Sequence, residues 1–262
     1  MNKALVLKEI RNFFEKNSDE AIVKKYSWYF KEGYDAYGID KETLKELTDL
    51  LIAKHFREWS LKDIFSLGNE LMASGKYEEA SLVIVFLTLY RNEHIKSTKR
   101  KKTDEKGAGD SIAAIDREVF ERLKFWFDQD IRNWAHSDVI CSELLSKFLT
   151  AGSIDLFAYE SWKSSASKWT RRAVPVSMIA LLKREDDYRF LLDFIDSLML
   201  DSEKPVQQGL GWFLRETWKR EPELVEDYLM KWRQTAPRVI FQYATEKMDK
   251  ERRVRFRREK SK

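Results

Sequence analysis

Apolar residues recur at intervals of three and four along nearly the whole chain, and almost nowhere at intervals of two. That spacing gathers apolar side chains on one stripe of a helix, whereas a half-buried strand alternates. The pattern predicts helices at about 2–16, 19–33, 41–57, 61–74, 77–95, 111–130, 131–149, 153–163, 167–184, 186–200, 204–220, 222–233 and 236–257. Ser60 with Asp63 reads as a capping box, and Pro205, Pro222 and Pro237 fall in first turns, where a missing N–H breaks no helical hydrogen bond. Pro175 falls inside a helix and is expected to kink it. The fold class is all-α.

Short helices joined by short loops suggest stacked pairs, and the chain compared with itself supports them. WTRRAVPVSMIALLKR (169–184) and VQQGLGWFLRETWKR (206–220) superpose at a lag of about 37 residues, and Trp134 precedes Trp169 by 35. That lag is the period of HEAT-like helical pairs, in which each unit buries its face on its neighbours and the inner helices line one concave surface. The expectation is a superhelical array of antiparallel helix pairs over 1–248, its concave face the place for a partner, followed by a basic tail at 249–262.

The composition is that of a folded chain. It has 262 residues, 43% of them hydrophobic and nine of them Trp, enough for a large core. One cysteine, Cys141, and no charged-then-apolar leader indicate neither disulfides nor secretion, so the cytoplasm is expected. No uncharged run approaches the roughly 18 residues a membrane span requires. Charge is uneven: residues 247–262 hold nine Lys/Arg against three Asp/Glu, more than the whole chain's net +4. A second cluster, KSTKRKK at 96–102, runs into TDEKGAGDS, which together read as a basic surface loop at about 96–111. Such clusters suit DNA or RNA, and they also serve as plain solvated surface. His55, His94 and His136 lie far apart, no second cysteine exists, and no Gly-rich phosphate loop is present, so neither metal nor cofactor is expected.

One stretch breaks its own pattern. In IRNWAHSDVICSELLSKF (131–148) the stripe carrying Trp134, Cys141, Leu145 and Phe148 also carries Asp138. Burying an unpaired carboxylate costs several kcal/mol, so the stripe either opens there or gives the charge a partner, such as Arg172. Trp134 and Asp138 stand at i and i+4 on one helix face, and Trp212 and Arg215 at i and i+3 on another. Gly209 and Gly211 weaken that second helix and make sense if something approaches its backbone closely. Alone, each residue has an ordinary explanation: a Trp is usually core, an Arg usually solvated or paired. Together, two indole faces and a carboxylate form a cage for a cation, and a nearby arginine can hold a phosphate.

These residues resemble a known family. NWAHSD (133–138), SKWTRRA (167–173) and GLGWFLRE (209–216) are similar to the three active-site segments of the AlkD-type DNA alkylation repair glycosylases, which are built from HEAT-like repeats. KKYSWYFKEGYDAYGID (24–40) resembles that family's N-terminal DNA-facing segment, and KYEEASLVIVFLTLYRNEHI (76–95) its second-repeat helix, so the likeness runs over about 10–248. It implies Asp138 as the catalytic carboxylate, Trp134 and Trp212 as aromatic walls, Arg172 as a contact to the DNA backbone and Tyr29 on the DNA-facing side. Arg171, Arg215, Lys99, Arg100, Lys101, Arg252 and Arg253 complete the expected DNA contacts. The implied activity is that of a monofunctional, monomeric glycosylase that removes purines alkylated at N3 or N7 from double-stranded DNA. The 96–111 insertion and the longer basic C-terminus depart from the family pattern, and His136 and Ser137 take no role from it. Two other readings share the scaffold: a non-catalytic DNA-binding homologue, against which the retained Asp138 speaks, and a protein-interaction solenoid.

Overall fold

A computed structural model describes residues 1–100, 105–184 and 187–258. Every regular element among them is helical, and none is long and apolar enough to cross a membrane. The chain divides into two compact units, Met1–His136 and Ser137–Lys262, a division the periodicity did not indicate.

The first unit holds α1 (Lys3–Lys16), α2 (Glu20–Ser27), α3 (Lys41–Lys54), α4 (Leu61–Ala73), α5 (Tyr77–Arg100) and α6 (Glu105–Gln129). Helix α4 starts on the expected capping box, with Ser60 and Asp63 each satisfying the other's backbone N–H. It packs against α1, α5 and α6 around Leu67, Leu71, Phe86 and the fully buried Trp126. The Trp126 indole N–H is satisfied by Asn69 Oδ1 at 3.0 Å, so the ring enters the core without an orphaned donor. A buried pair, Arg91 with both oxygens of Asp116 at 2.7 and 2.9 Å, ties α5 to α6.

Helix α2 ends at Ser27, six residues before its expected end. The chain turns because Phe30 inserts into an aromatic cluster, 4.6 Å from the Tyr34 ring and 5.7 Å from that of Trp134. The following loop is fastened from α5. The Glu78 carboxylate accepts the backbone N–H groups of Tyr37, Gly38 and Ile39 at 2.9–3.1 Å. Gly38 has φ +83°, and a Cβ there would lie 2.1 Å from the Asp19 carbonyl, so this turn admits only glycine. The expected 96–111 loop is largely helical instead: α5 runs on to Arg100 and α6 starts at Glu105, because neither Gly nor Pro interrupts 96–100 and Gly107 and Gly109 are taken into a helix.

The second unit receives the end of α7 (Trp134–Ile140) and holds α8 (Ser146–Ala151), α9 (Lys168–Met178), α10 (Tyr188–Phe194), α11 (Lys204–Trp218), α12 (Pro222–Trp232), α13 (Arg238–Ala244) and α14 (Lys250–Arg255). Helix α11 packs between α9 and α13, burying Leu210, Phe213 and Leu214. The expected helix over 131–149 is interrupted by a π-helical segment, Cys141–Leu145, and 153–163 forms a 3-10 helix at Leu156–Trp162. The expected 236–257 helix is two: after α13 the chain breaks, and Asp249 caps α14 through the Arg252 N–H at 2.8 Å. Pro237 is the residue before α13 rather than within its first turn. The basic C-terminal segment is packed rather than loose as far as Phe256, which is buried 6.4 Å from the Phe241 ring.

Candidate functional site

Asp138 stands on α7, with apolar Cys141 and Leu145 on the same stripe below it, and Arg172 on α9 meets it. Arg172 Nε donates to one carboxylate oxygen at 2.9 Å and Nη2 to the other at 2.8 Å. The remaining Nη1 donates to the Pro205 carbonyl in the first turn of α11, at 2.6 Å. The arginine is 8% exposed and the carboxylate 18%, so the pair is mostly desolvated with the acid as its more open end. Bidentate geometry of this kind fixes both planes and makes the strongest charge-assisted contact two side chains can form. The misplaced charge on the apolar stripe thus has its partner, one the sequence had offered among the alternatives.

Helix α11 completes the surroundings. At Gly209 a Cβ would lie 3.2 Å from Arg172 Cγ and 3.3 Å from Val176 Cγ2; at Gly211 it would lie 2.4 Å from Tyr243 Cβ and 2.7 Å from the Ile240 carbonyl. The close approach that the two glycines signalled is therefore made by the protein's own α9 and α13. Trp212, next to Gly211, is half-buried, and the Gln208 amide one turn before it donates to the Tyr243 hydroxyl at 2.8 Å.

The other expected arginines are engaged within the unit. Arg171 grips Asp201 at 2.5 and 3.2 Å and donates to the Ser165 and Ala166 carbonyls. Arg215 lies between Glu216, at 3.2 Å, and Glu246. Trp169, which the sequence comparison set 35 residues after Trp134, is buried core. Arg252 pairs with Glu226 at 3.1 Å, while Arg253 is exposed. Of the other basic cluster, Lys101 lies outside the described residues, and for Lys99 and Arg100 only the backbone, at the end of α5, is described.

In the first unit Trp134 is 40% exposed. Its indole N–H donates to the Tyr29 carbonyl at 3.1 Å, and its ring stacks on Phe30, so the loop after α2 and the start of α7 hold one another. Tyr29 itself projects outward. His136 is buried and stacks on Tyr77 at 4.5 Å. Asn133 donates to its Nδ1 at 2.9 Å, and its Nε2, which must carry the hydrogen, donates to the Tyr77 carbonyl at 3.0 Å. Burial holds its pKa down to about 4, so this histidine is a neutral strut. Burial likewise pushes the Cys141 thiol up to about 12, which leaves it inert as a nucleophile. Among the described residues no group of three or more His, Cys, Asp or Glu is placed to hold a metal ion.

Residues the sequence did not single out also shape the site: the Pro205 carbonyl, Val176 and Tyr243. A carbonyl carries no type-specific signal, and the others belong to helices whose mutual packing no periodicity reveals.

Residues 10–248 match the profile of a family described as DNA alkylation repair enzyme. No curated protein matches the sequence. Among solved structures, a predicted DNA alkylation repair enzyme from Enterococcus faecalis superposes with a TM-score of 0.62 at 14% identity, over 89% of this chain and 98% of that one. At that identity the likeness concerns the fold.

Proposed function

Because the chain belongs to the DNA alkylation repair enzyme family, we propose that it is a monofunctional glycosylase that removes cationic N3- and N7-alkylated purines from duplex DNA. The observation that supports this reading is the partly open Asp138 carboxylate, held on both oxygens by a nearly buried arginine. A purine alkylated at N3 or N7 already carries positive charge and is a good leaving group, so little acid catalysis is required. What remains is to stabilise the oxocarbenium-like sugar and to deliver water to C1′. Asp138 is suited to both, as a fixed anion beside the developing cation and as an acceptor that orients the water. Trp134 and Trp212 are assigned the aromatic walls, through cation–π and packing contacts to the charged nucleotide.

Arg172 takes a different part from the one the resemblance implies. With Nε, Nη1 and Nη2 all donating within the protein, it is assigned as the positioning residue of Asp138 rather than a phosphate contact. On this reading the protein is a cytoplasmic monomer that needs no cofactor, built from HEAT-like pairs. The test is release of 7-methylguanine from methylated duplex DNA by the wild type and by Asp138→Asn. Release that falls on the order of a hundredfold or more in the variant, with DNA affinity kept, supports the mechanism. Binding by the wild type without release would favour the non-catalytic homologue, and equal release by both proteins would remove Asp138 from the chemistry.

A further inference from the structure

The stretch KKYSWYFK, 24–31, contains three lysines, four aromatic residues and no acid. Only Phe30 turns inward; Tyr26 is 42% exposed, Tyr29 60% and Trp28 83%, the most exposed of the large apolar side chains described. Leaving an indole in water forgoes one of the largest burial gains a side chain can make, and Tyr26 and Tyr29, close to it in sequence, are exposed as well. No described carboxylate forms an ion pair with Lys24, Lys25 or Lys31, although ion pairs surround lysines elsewhere in the same unit, at Lys3, Lys54 and Lys76.

The patch is also rigidly mounted. Below it, Phe30 is stacked between Tyr34 and Trp134; the Trp134 indole holds the Tyr29 carbonyl; and the loop's far end is fixed by Glu78, by the Asp19 N–H on the Tyr37 carbonyl at 3.0 Å and by the Tyr77 N–H on the Asp35 carbonyl at 2.8 Å. A ring presented on so constrained a base loses little further freedom on binding. A flat apolar face bordered by unpaired cations fits a ligand that is itself a flat ring strung on anions, which is a nucleotide strand.

We propose that Trp28 is the stacking face of a second DNA contact, which takes a nucleobase that has lost its pairing partner while Lys24, Lys25 and Lys31 hold the flanking phosphates. It rests on the DNA-repair reading above and extends it, since excision leaves an unpaired base opposite the abasic sugar. Stacking accepts any base, so this contact reads the gap in the duplex rather than the sequence around it.

The experiment measures binding by full-length protein to two duplexes, one fully paired and one carrying a tetrahydrofuran abasic analogue, by fluorescence anisotropy. Trp28→Ala weakens binding to the abasic duplex about tenfold, within the range of one lost base–aromatic stack, and to the paired duplex less than about twofold. Trp28→Phe restores most of the difference, and Lys24→Gln with Lys31→Gln weakens both duplexes alike. Equal loss on both duplexes in Trp28→Ala, or no loss, overturns the proposal, as would transfer of the Trp28 dependence to anionic lipid vesicles. Because binding is read without turnover, the two readings separate: a wild type that releases 7-methylguanine while Trp28→Ala binds normally refutes the stacking contact alone. A wild type that discriminates through Trp28 but releases no base refutes the glycosylase alone.

Discussion

Arg172 holds both oxygens of Asp138, at 2.9 and 2.8 Å, and anchors itself on the Pro205 carbonyl at 2.6 Å. Three helices, α7, α9 and α11, are thereby joined through one guanidinium, and the carboxylate has a single orientation. Lysine offers a point charge without the fork and cannot reproduce this grip.

Removing the arginine therefore has two effects. Arg172→Ala leaves a mostly buried carboxylate unpaired and costs about 3 kcal/mol of stability in urea unfolding. It also frees Asp138 from the orientation the fork imposes, so release of 7-methylguanine is expected to slow while DNA affinity is kept. Arg172→Lys keeps part of the stability and recovers only part of the rate. A loss of DNA affinity that accounts for the whole loss of rate would assign Arg172 to substrate binding instead.

On the proposed mechanism, substrate preference is expected to follow the charge of the base. Hypoxanthine and uracil offer no cation to Asp138 or to the proposed aromatic walls, and leave less readily. Their release in single-turnover assays is expected to be slower than that of 7-methylguanine by on the order of a hundredfold or more. Trp212→Ala narrows the gap. Comparable rates for charged and neutral bases would contradict the mechanism.

The neutral His136 makes stability depend on pH. Its folded pKa of about 4 lies below the ordinary 6.5, so between those values the unfolded chain takes up a proton that the folded chain refuses. The contribution is complete above pH 6.5 and is lost as the pH falls towards 4, by about 3 kcal/mol at most. Urea midpoints of wild type and His136→Gln, compared at neutral and mildly acidic pH, isolate this share, the variant showing the shallower fall.

The two glycines of α11 separate in effect. Gly211→Ala drives a methyl into Tyr243 Cβ and the Ile240 backbone, neither of which can swing aside, and destabilises by on the order of 2 kcal/mol despite better helix propensity. Gly209→Ala needs only a few tenths of an ångström from Arg172 Cγ and Val176 Cγ2, and its unfolding free energy stays within about 1 kcal/mol of wild type. Thermal or urea unfolding of the two variants decides the order.

The helical class, the cap at Ser60, the first-turn proline at Pro222 and the oddity of Asp138 were legible because each is a matter of spacing within a few residues. The early end of α2 was not, since Phe30 leaves the helix for ring contacts with Tyr34, Tyr77 and Trp134, the last more than a hundred residues away. The break before α14 left only a faint mark, Asp249, an ordinary residue in a helix until its side chain is seen to cap. Arg171 and Arg172 are adjacent and alike in periodicity, and it is their partners, Asp201 and Asp138, that fix their separate places.

The π-helical turn at Cys141–Leu145 acts as a phase adjuster between Asp138 and the rest of its helix. It accommodates one residue more than a regular α-helix would over the same rise, and each residue of an α-helix turns the chain by about 100°. Were the same residues wound as regular α-helix instead, Asp138 would be rotated by roughly a quarter turn relative to Leu145 and Phe148. The acid would then face away from Arg172 while every side chain involved remained intact, so this reading frame of the helix is as much a part of the site as the residues themselves.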